Sequence, residues 1–255
     1  MTILHQIWFD LGNGSEPPSP NGTESFLREN DLEHRLWRLE DAEKTISQSE
    51  KYARLWTLLP HGICRADVFR YILMYEFGGA YFDFDFCCTR SISPLLIPGV
   101  AFVAEEWPAS LVTGSLHNGA LVCKDAKHPF WLDVLEQIYA RLLHLRDEDH
   151  LDIQKSVFQL TGTAMLRDVA INYMKKKSFF HPLIVLPFGC FCPFLNHDGE
   201  YISRYERASQ VPLKNMRFPT NTPKLDSHTF AFIMPSIKTW QKKFECKKNT
   251  FETGP

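Results

Sequence analysis

The chain has 255 residues, with 28 Lys and Arg against 30 Asp and Glu for a formal net charge of -2. That balance gives no global pull toward nucleic acid or an anionic membrane, and the length is enough to bury a sizeable core in one α/β domain. No run approaches the ~20 apolar residues of a bilayer-spanning helix, and the first apolar stretch contains His5 and Gln6 and lacks a basic start, so no signal peptide is expected.

In chain order, residues 3–9 read as a buried strand. Residues 12–22, with Pro17, Pro18 and Pro20, form a loop that cannot be regular structure. A polar helical turn is expected over 24–31 and a helix over 42–49. A longer helix over 65–76 places Phe69, Ile72 and Leu73 on a core side and Asp67, Arg70 and Met74 on another. Gly78-Gly79 punctuates the junction to an aromatic strand over 80–86. A loop over 91–98 and a short strand over 100–104 follow. Residues 129–145 carry Trp131, Val134, Leu135, Ile138 and Leu142 at helical spacing, which makes a core stripe. After a charged loop over 147–150, a helix over 164–173 and a late strand over 183–186 are expected, and the Pro- and aromatic-rich remainder shows little periodicity. The alternating order gives an α/β class.

The seven cysteines include Cys87-Cys88 and the close pair Cys190 and Cys192. Neither spacing fits a zinc site of two Cys-x-x-Cys units, so reduced thiols are expected. Lys175-Lys176-Lys177 and Lys242-Lys243 read as solvated faces, with a surface role, peripheral membrane contact included, open to the first.

Chemistry concentrates between residues 65 and 85. Asp67 and Arg70 lie three apart on one helix face, and Asp83 and Asp85 flank Phe84 where the apolar strand runs out into a loop. Alone, an Asp-x-Asp triplet is more often a solvated turn. Next to a glycine-punctuated strand and an Asp/Arg helix face, it suits a hard divalent cation, Mg²⁺ or Mn²⁺, that completes its shell with phosphate oxygens. No Gly-x-Gly-x-x-Gly loop is present, which disfavours a dinucleotide enzyme.

These segments, with Ile3-Leu4-His5-Gln6-Ile7-Trp8-Phe9, the Leu-Trp pair within residues 33–41, Asn118-Gly119-Ala120, His128-Pro129-Phe130 and Thr161-Gly162, resemble glycosyltransferase family 32, the DxD-containing sugar transferases. More remotely they resemble the catalytic domains of large glucosylating toxins. The resemblance spans about residues 3–170, with Thr163 standing where the family's turn has proline. It implies a GT-A architecture in a single domain, a Rossmann-like nucleotide-binding sheet with a smaller C-terminal acceptor region. Residues 1–125 would serve mainly the nucleotide sugar and 126–255 mainly the acceptor side.

The implied activity is metal-dependent, retaining transfer of a hexose or N-acetylhexosamine from a UDP- or GDP-sugar to a glycan, lipid or protein. Asp85 would chiefly hold the cation, with Asp83 shared between cation and donor sugar. Asp67 and Arg70 would fix sugar hydroxyls, and Arg70 would also reach the diphosphate. His5, Gln6 and Trp8 would face the nucleotide and Asn118 the donor sugar or acceptor. His228 would be a late ligand for the metal or diphosphate, although it stands twelve residues before Trp240 where the family has about six. Plain structural roles remain open: a core residue for His5 and Trp8, a helix-end carboxylate for Asp67, an ion pair with Asp67 or Asp83 for Arg70, a turn for Asn118. Two other classes compete, a haloacid-dehalogenase-like phosphatase with Asp83 as nucleophile, although Cys87 replaces its usual Thr or Val, and a non-catalytic carbohydrate-binding relative. A cytosolic location is expected.

Overall fold

A computed structural model describes residues 2–9, 17, 23–60, 62–84, 86–88, 91–106, 114–145, 153–176, 180–187, 190–191 and 231–233. Strands β1 (Thr2–Ile7), β2 (Leu32–Trp37), β3 (Gly79–Phe82), β5 (Ala101–Glu105), β6 (Leu116–Cys123) and β7 (Leu183–Leu186) make one sheet in the order β2-β1-β3-β6-β5-β7. β1 is parallel to β2 and β3, β5 is parallel to β7, and β6 alone runs antiparallel between β3 and β5. Because β6 is reversed, its first residues, Leu116 to Asn118, meet the carboxyl ends of β1 and β3 at one edge. Ligands of open α/β sheets bind outside that edge. A separate ribbon pairs β4 (Phe86–Cys88) with β8 (Ala231–Ile233).

The sheet is covered on both faces, and β3 shows the alternation that sorts them. Tyr81 joins a large cluster with Phe69, Leu73, Trp131 and Leu166, while Ala80 and Phe82 join Leu4, Phe26, Phe102 and Phe191 on the other side. The first cluster is built by helices α1 (Thr23–Glu29) excluded and α2 (Leu39–Ser47), α3 (Glu50–Leu58), α4 (Gly62–Glu76), α5 (Pro129–Leu145), α6 (Ile153–Leu160) and α7 (Thr163–Lys175) included. Each fully buried Leu, Ile or Phe in it contributes about 1.5–3 kcal/mol through removal of apolar surface from water.

The stripe expected on α5 is buried at all five positions. α4 departs from its expected amphipathic form: Met74 is buried with Phe69, Ile72 and Leu73, and Asp67 and Arg70 are buried too. It packs against α5 and against β1, β3 and β6, so only its ends reach water. α2 starts at Leu39, three residues before the expected start, because the Asp41 carboxylate accepts from the Arg38 N–H at 3.0 Å and caps the first turn. The strand expected over residues 80–86 stops at Phe82. There the chain turns, with the Phe86 N–H donating to the Asp83 carbonyl at 3.0 Å.

Gly78 and Gly79 connect α4 to β3 with φ of +64° and +94°, a region that side chains disfavour. A β-carbon at Gly79 would also lie 2.3 Å from the Ile3 carbonyl oxygen. Two glycines thus let a buried helix reverse into the central strand that leads to Asp83. Among the described residues, no helix is long and apolar enough to cross a membrane.

Candidate active site

Four of the side chains singled out from the sequence meet at the carboxyl edge of the sheet. Asp67, 3% exposed, accepts on Oδ1 from Arg70 Nη2 at 2.9 Å and from Asn118 Nδ2 at 3.1 Å, and on Oδ2 from the Thr161 hydroxyl at 2.8 Å. Arg70 donates from Nη1 to the Asn118 carbonyl at 2.8 Å and lies 3.4 Å from Asp83 Oδ1. Its guanidinium stands 4.9 Å from the centre of the Tyr81 ring. Ion pairs this buried carry a desolvation cost that only dense hydrogen bonding offsets, and the network supplies it from α4, β6 and the α6–α7 turn. Among the described residues, Arg70 Nε is a buried donor with no protein partner.

Burial raises the Asp67 pKa to about 6, against the opposing pull of Arg70 and of the Thr161 and Asn118 donors. Tyr81 and Tyr71 are pushed upward, first by burial, so both phenols stay protonated donors. Tyr81 donates to Asp83 Oδ1 at 2.6 Å. The Tyr81 and Arg70 contacts both fall on Oδ1, and Asp83 Oδ2 sits against Gly119, where a β-carbon would come within 2.5 Å of it. The Asp83 N–H donates to the Gly119 carbonyl at 2.9 Å, which fixes this carboxylate by backbone and side chain together.

The N-terminal candidates divide. Trp8, at the end of β1, packs edge-on against Phe84 at 5.5 Å between ring centres and so borders the Asp-x-Asp turn. His5 is fully buried, accepts on Nδ1 from Trp37 Nε1 at 3.0 Å and donates from Nε2 to the Gly78 carbonyl at 2.8 Å. Burial lowers its pKa to about 4, so it is a neutral imidazole with both nitrogens committed to holding β1, β2 and the glycine turn together. Both ring nitrogens are thus engaged within the protein, which leaves the nucleotide role expected of His5 no free donor or acceptor on its ring. Gln6 Oε1 accepts from His34 Nε2 at 2.9 Å, across the β1–β2 pair. Asp85 and His228 lie outside the described residues.

Three residues of this cluster carried no site role in the sequence reading. Thr161 was legible only as half of a Thr-Gly turn. Tyr81 lay inside the aromatic strand. His117, buried on β6 directly before the Asn118-Gly119-Ala120 motif, accepts the Gly119 N–H on Nδ1 at 3.0 Å and packs against Phe86.

Residues 20–102 match the glycosyltransferase sugar-binding region containing the DXD motif, a span that takes in Asp67, Arg70 and Asp83-Phe84-Asp85. Over that third of its length the chain resembles the DXD-containing glycosyltransferases. It is 37% identical over 109 residues to inositol phosphoceramide mannosyltransferase 3 of Schizosaccharomyces pombe, covering 42% of this chain and 29% of that protein. It is 24% identical over 193 residues to inositol phosphoceramide mannosyltransferase 1 of the same organism, covering 72% of this chain and 55% of that protein. The chain thus spans about a third to a half of the length of these curated relatives. In fold it resembles the PaToxG glycosyltransferase, with a TM-score of 0.50, 14% identity and 70% of each chain covered. The mixed α/β sheet and that match agree with the expected GT-A-like fold. The family match also gives Asp83-Phe84-Asp85 a sugar-transferase reading in place of the phosphatase one.

Proposed function

We propose that this chain is a divalent-metal-dependent, retaining glycosyltransferase that moves a hexose from a UDP- or GDP-sugar to a glycan, lipid or protein acceptor. The observation that carries the reading is the buried network of Asp67, Arg70 and Asn118 set against Asp83, at the sheet edge where nucleotides bind. The names of the two yeast relatives support mannose as the sugar, and an inositol phosphoceramide as the acceptor to try first. On this reading residues 1–125 hold mainly the donor and residues 126–255 the acceptor side.

DXD-containing transferases generally bind a divalent metal, and the donor set here fits one. Asp83 offers a carboxylate oxygen oriented from behind by Tyr81 and Arg70, and hard oxygen ligands suit Mn²⁺ or Mg²⁺. Asp83 and Asp85 would hold the ion, with His228 as a third ligand. When bound it supplies Lewis-acid stabilisation of the departing diphosphate.

The protein's own groups do the rest. Arg70, a planar fork of donors, steadies the anionic donor and orients Asp83. Asn118 fixes a sugar hydroxyl. Asp67 has both oxygens engaged by hydrogen-bond donors, which makes it a poor nucleophile and a good anchor. With no activated side-chain nucleophile needed, the acceptor hydroxyl attacks the anomeric carbon on the face the diphosphate leaves. Its proton passes to the leaving phosphate oxygen, and the anomeric configuration is retained.

A melting-temperature screen of UDP- and GDP-sugars tests the donor site directly, because a ligand that binds only the folded state raises apparent stability by about 2.7 kcal/mol at a hundredfold excess over Kd. The expected result is a rise with one nucleotide sugar in Mn²⁺ that collapses in EDTA. No shift with any nucleotide sugar at millimolar concentration would contradict the proposal.

A further inference from the structure

We infer that Thr161 is a positioning residue for sugar transfer: its buried hydroxyl holds the Asp67 carboxylate in the orientation that presents Arg70 and Asn118 to the donor. The inference rests on the transferase reading above and assigns a role to a residue 94 positions away in sequence from Asp67.

Thr161 is fully buried, so it cannot touch substrate. Its hydroxyl has two acceptors in reach, Asp67 Oδ2 at 2.8 Å and the Val157 carbonyl at 3.4 Å. A hydroxyl has one hydrogen, and an ionised carboxylate at short range is the stronger acceptor, so the hydrogen goes to Asp67.

The backbone around Thr161 is anchored independently of that contact. The Thr161 and Gly162 N–H groups donate to the Val157 carbonyl at 3.1 and 2.8 Å, and the Tyr71 hydroxyl donates to the Thr161 carbonyl at 3.0 Å. A β-carbon at Gly162 would lie 2.9 Å from the Val157 oxygen, so glycine lets the turn close onto the end of α6. The turn is thus tied to α4 through Tyr71, one helical turn on from Asp67, and the hydroxyl is delivered to a fixed point.

The consequence is a division of labour on one carboxylate. Oδ1 holds Arg70 and Asn118, the two groups that face the donor, while Oδ2 is held from behind by Thr161. Without the rear donor a buried carboxylate oxygen loses its partner, an unfavourable state that the side chain relieves by rotating or taking up a proton. Either response loosens both forward contacts together. The face that meets the sugar is then disordered, while Arg70 keeps its contacts to the Asn118 carbonyl and Asp83, so the diphosphate site is disturbed far less.

The test compares Thr161→Val, which keeps the shape and removes the donor, with Thr161→Ser, which keeps the donor and removes a methyl group. Both are assayed with wild type at a temperature where circular dichroism shows all three folded. The valine variant should lose about tenfold or more in kcat for sugar transfer, while its affinity for the free nucleoside diphosphate with Mn²⁺ changes less than about twofold. The serine variant should stay within about threefold of wild type in kcat. Wild-type kcat in Thr161→Val, or equal damage in the serine and valine variants, would overturn the inference and leave the transferase reading standing. A wild-type protein that turns over no nucleotide sugar would overturn both.

Discussion

Replacing Arg70 with methionine should be the most damaging single change in stability, and it should abolish sugar transfer as well. The guanidinium is buried between Asp67 and Asp83, at 2.9 and 3.4 Å from their oxygens, and also satisfies the Asn118 carbonyl. Removing one partner of a buried pair costs about 3–5 kcal/mol, because an uncompensated charge stays in a poorly solvated site. For a domain whose whole stability is about 5–15 kcal/mol, that is a large fraction, and a chain of this size should melt roughly 10 °C lower. The mechanism gives a sharper expectation. In the double variant Asp67→Asn with Arg70→Met the stranded charge is gone, so it should be more stable than Arg70→Met alone, whereas two independent losses would add. Denaturant unfolding of the two single variants, the double variant and wild type measures this directly. A double variant destabilised by the sum of the two single changes would show that the pair is not coupled.

Asp85→Asn should behave in the opposite way, leaving the fold intact and removing activity. The assignment of Asp85 comes from the motif, since the residue lies outside the described structure, and Asp83 beside it is already oriented by Tyr81 and Arg70. Losing the carboxylate that chiefly holds the cation should reduce turnover at least about a hundredfold, equivalent to roughly 2.7 kcal/mol of transition-state stabilisation. The melting temperature without nucleotide should match wild type, and the stabilisation by Mn²⁺ with a nucleotide sugar should disappear. Isothermal titration of Mn²⁺ with the nucleoside diphosphate provides the check. A variant that binds both as wild type does, and transfers sugar at the wild-type rate, would remove Asp85 from the metal site.

Much of this site could be read before any coordinates because its chemistry is written in local spacing. Asp67 and Arg70 are three apart on a helix, and the carboxylates at 83 and 85 bracket one residue after a glycine-punctuated strand. The long amphipathic helix was legible for the same reason, since its five-residue stripe repeats over four turns and has a solvated face opposite.

What escaped depended on distant partners. β6 is buried on both faces, so it lacks a strand's polar alternation, and Asn118-Gly119 in its middle has the composition of a turn. α3 is only nine residues long and buries Tyr52, Leu55 and Trp56, a stripe too short to stand out from its charged neighbours. The all-round burial of α4 follows from its own lack of sidedness, with Val68, Phe69, Tyr71, Ile72, Leu73 and Met74 distributed round the helix, and from the helices stacked over it. His5 illustrates the limit most plainly. Its place in a family-like His-Gln-x-Trp run pointed to the nucleotide, and the Trp37 and Gly78 partners that consume both its nitrogens are 32 and 73 residues away.

The most direct measurement is an NMR-monitored reaction of the wild-type chain with the nucleotide sugar that stabilises it and a lipid or glycan acceptor, run in Mn²⁺ and in EDTA. The account predicts a glycoside product with the donor's anomeric configuration, formed in Mn²⁺ and absent in EDTA. An inverted product, or undiminished turnover in EDTA, would contradict it.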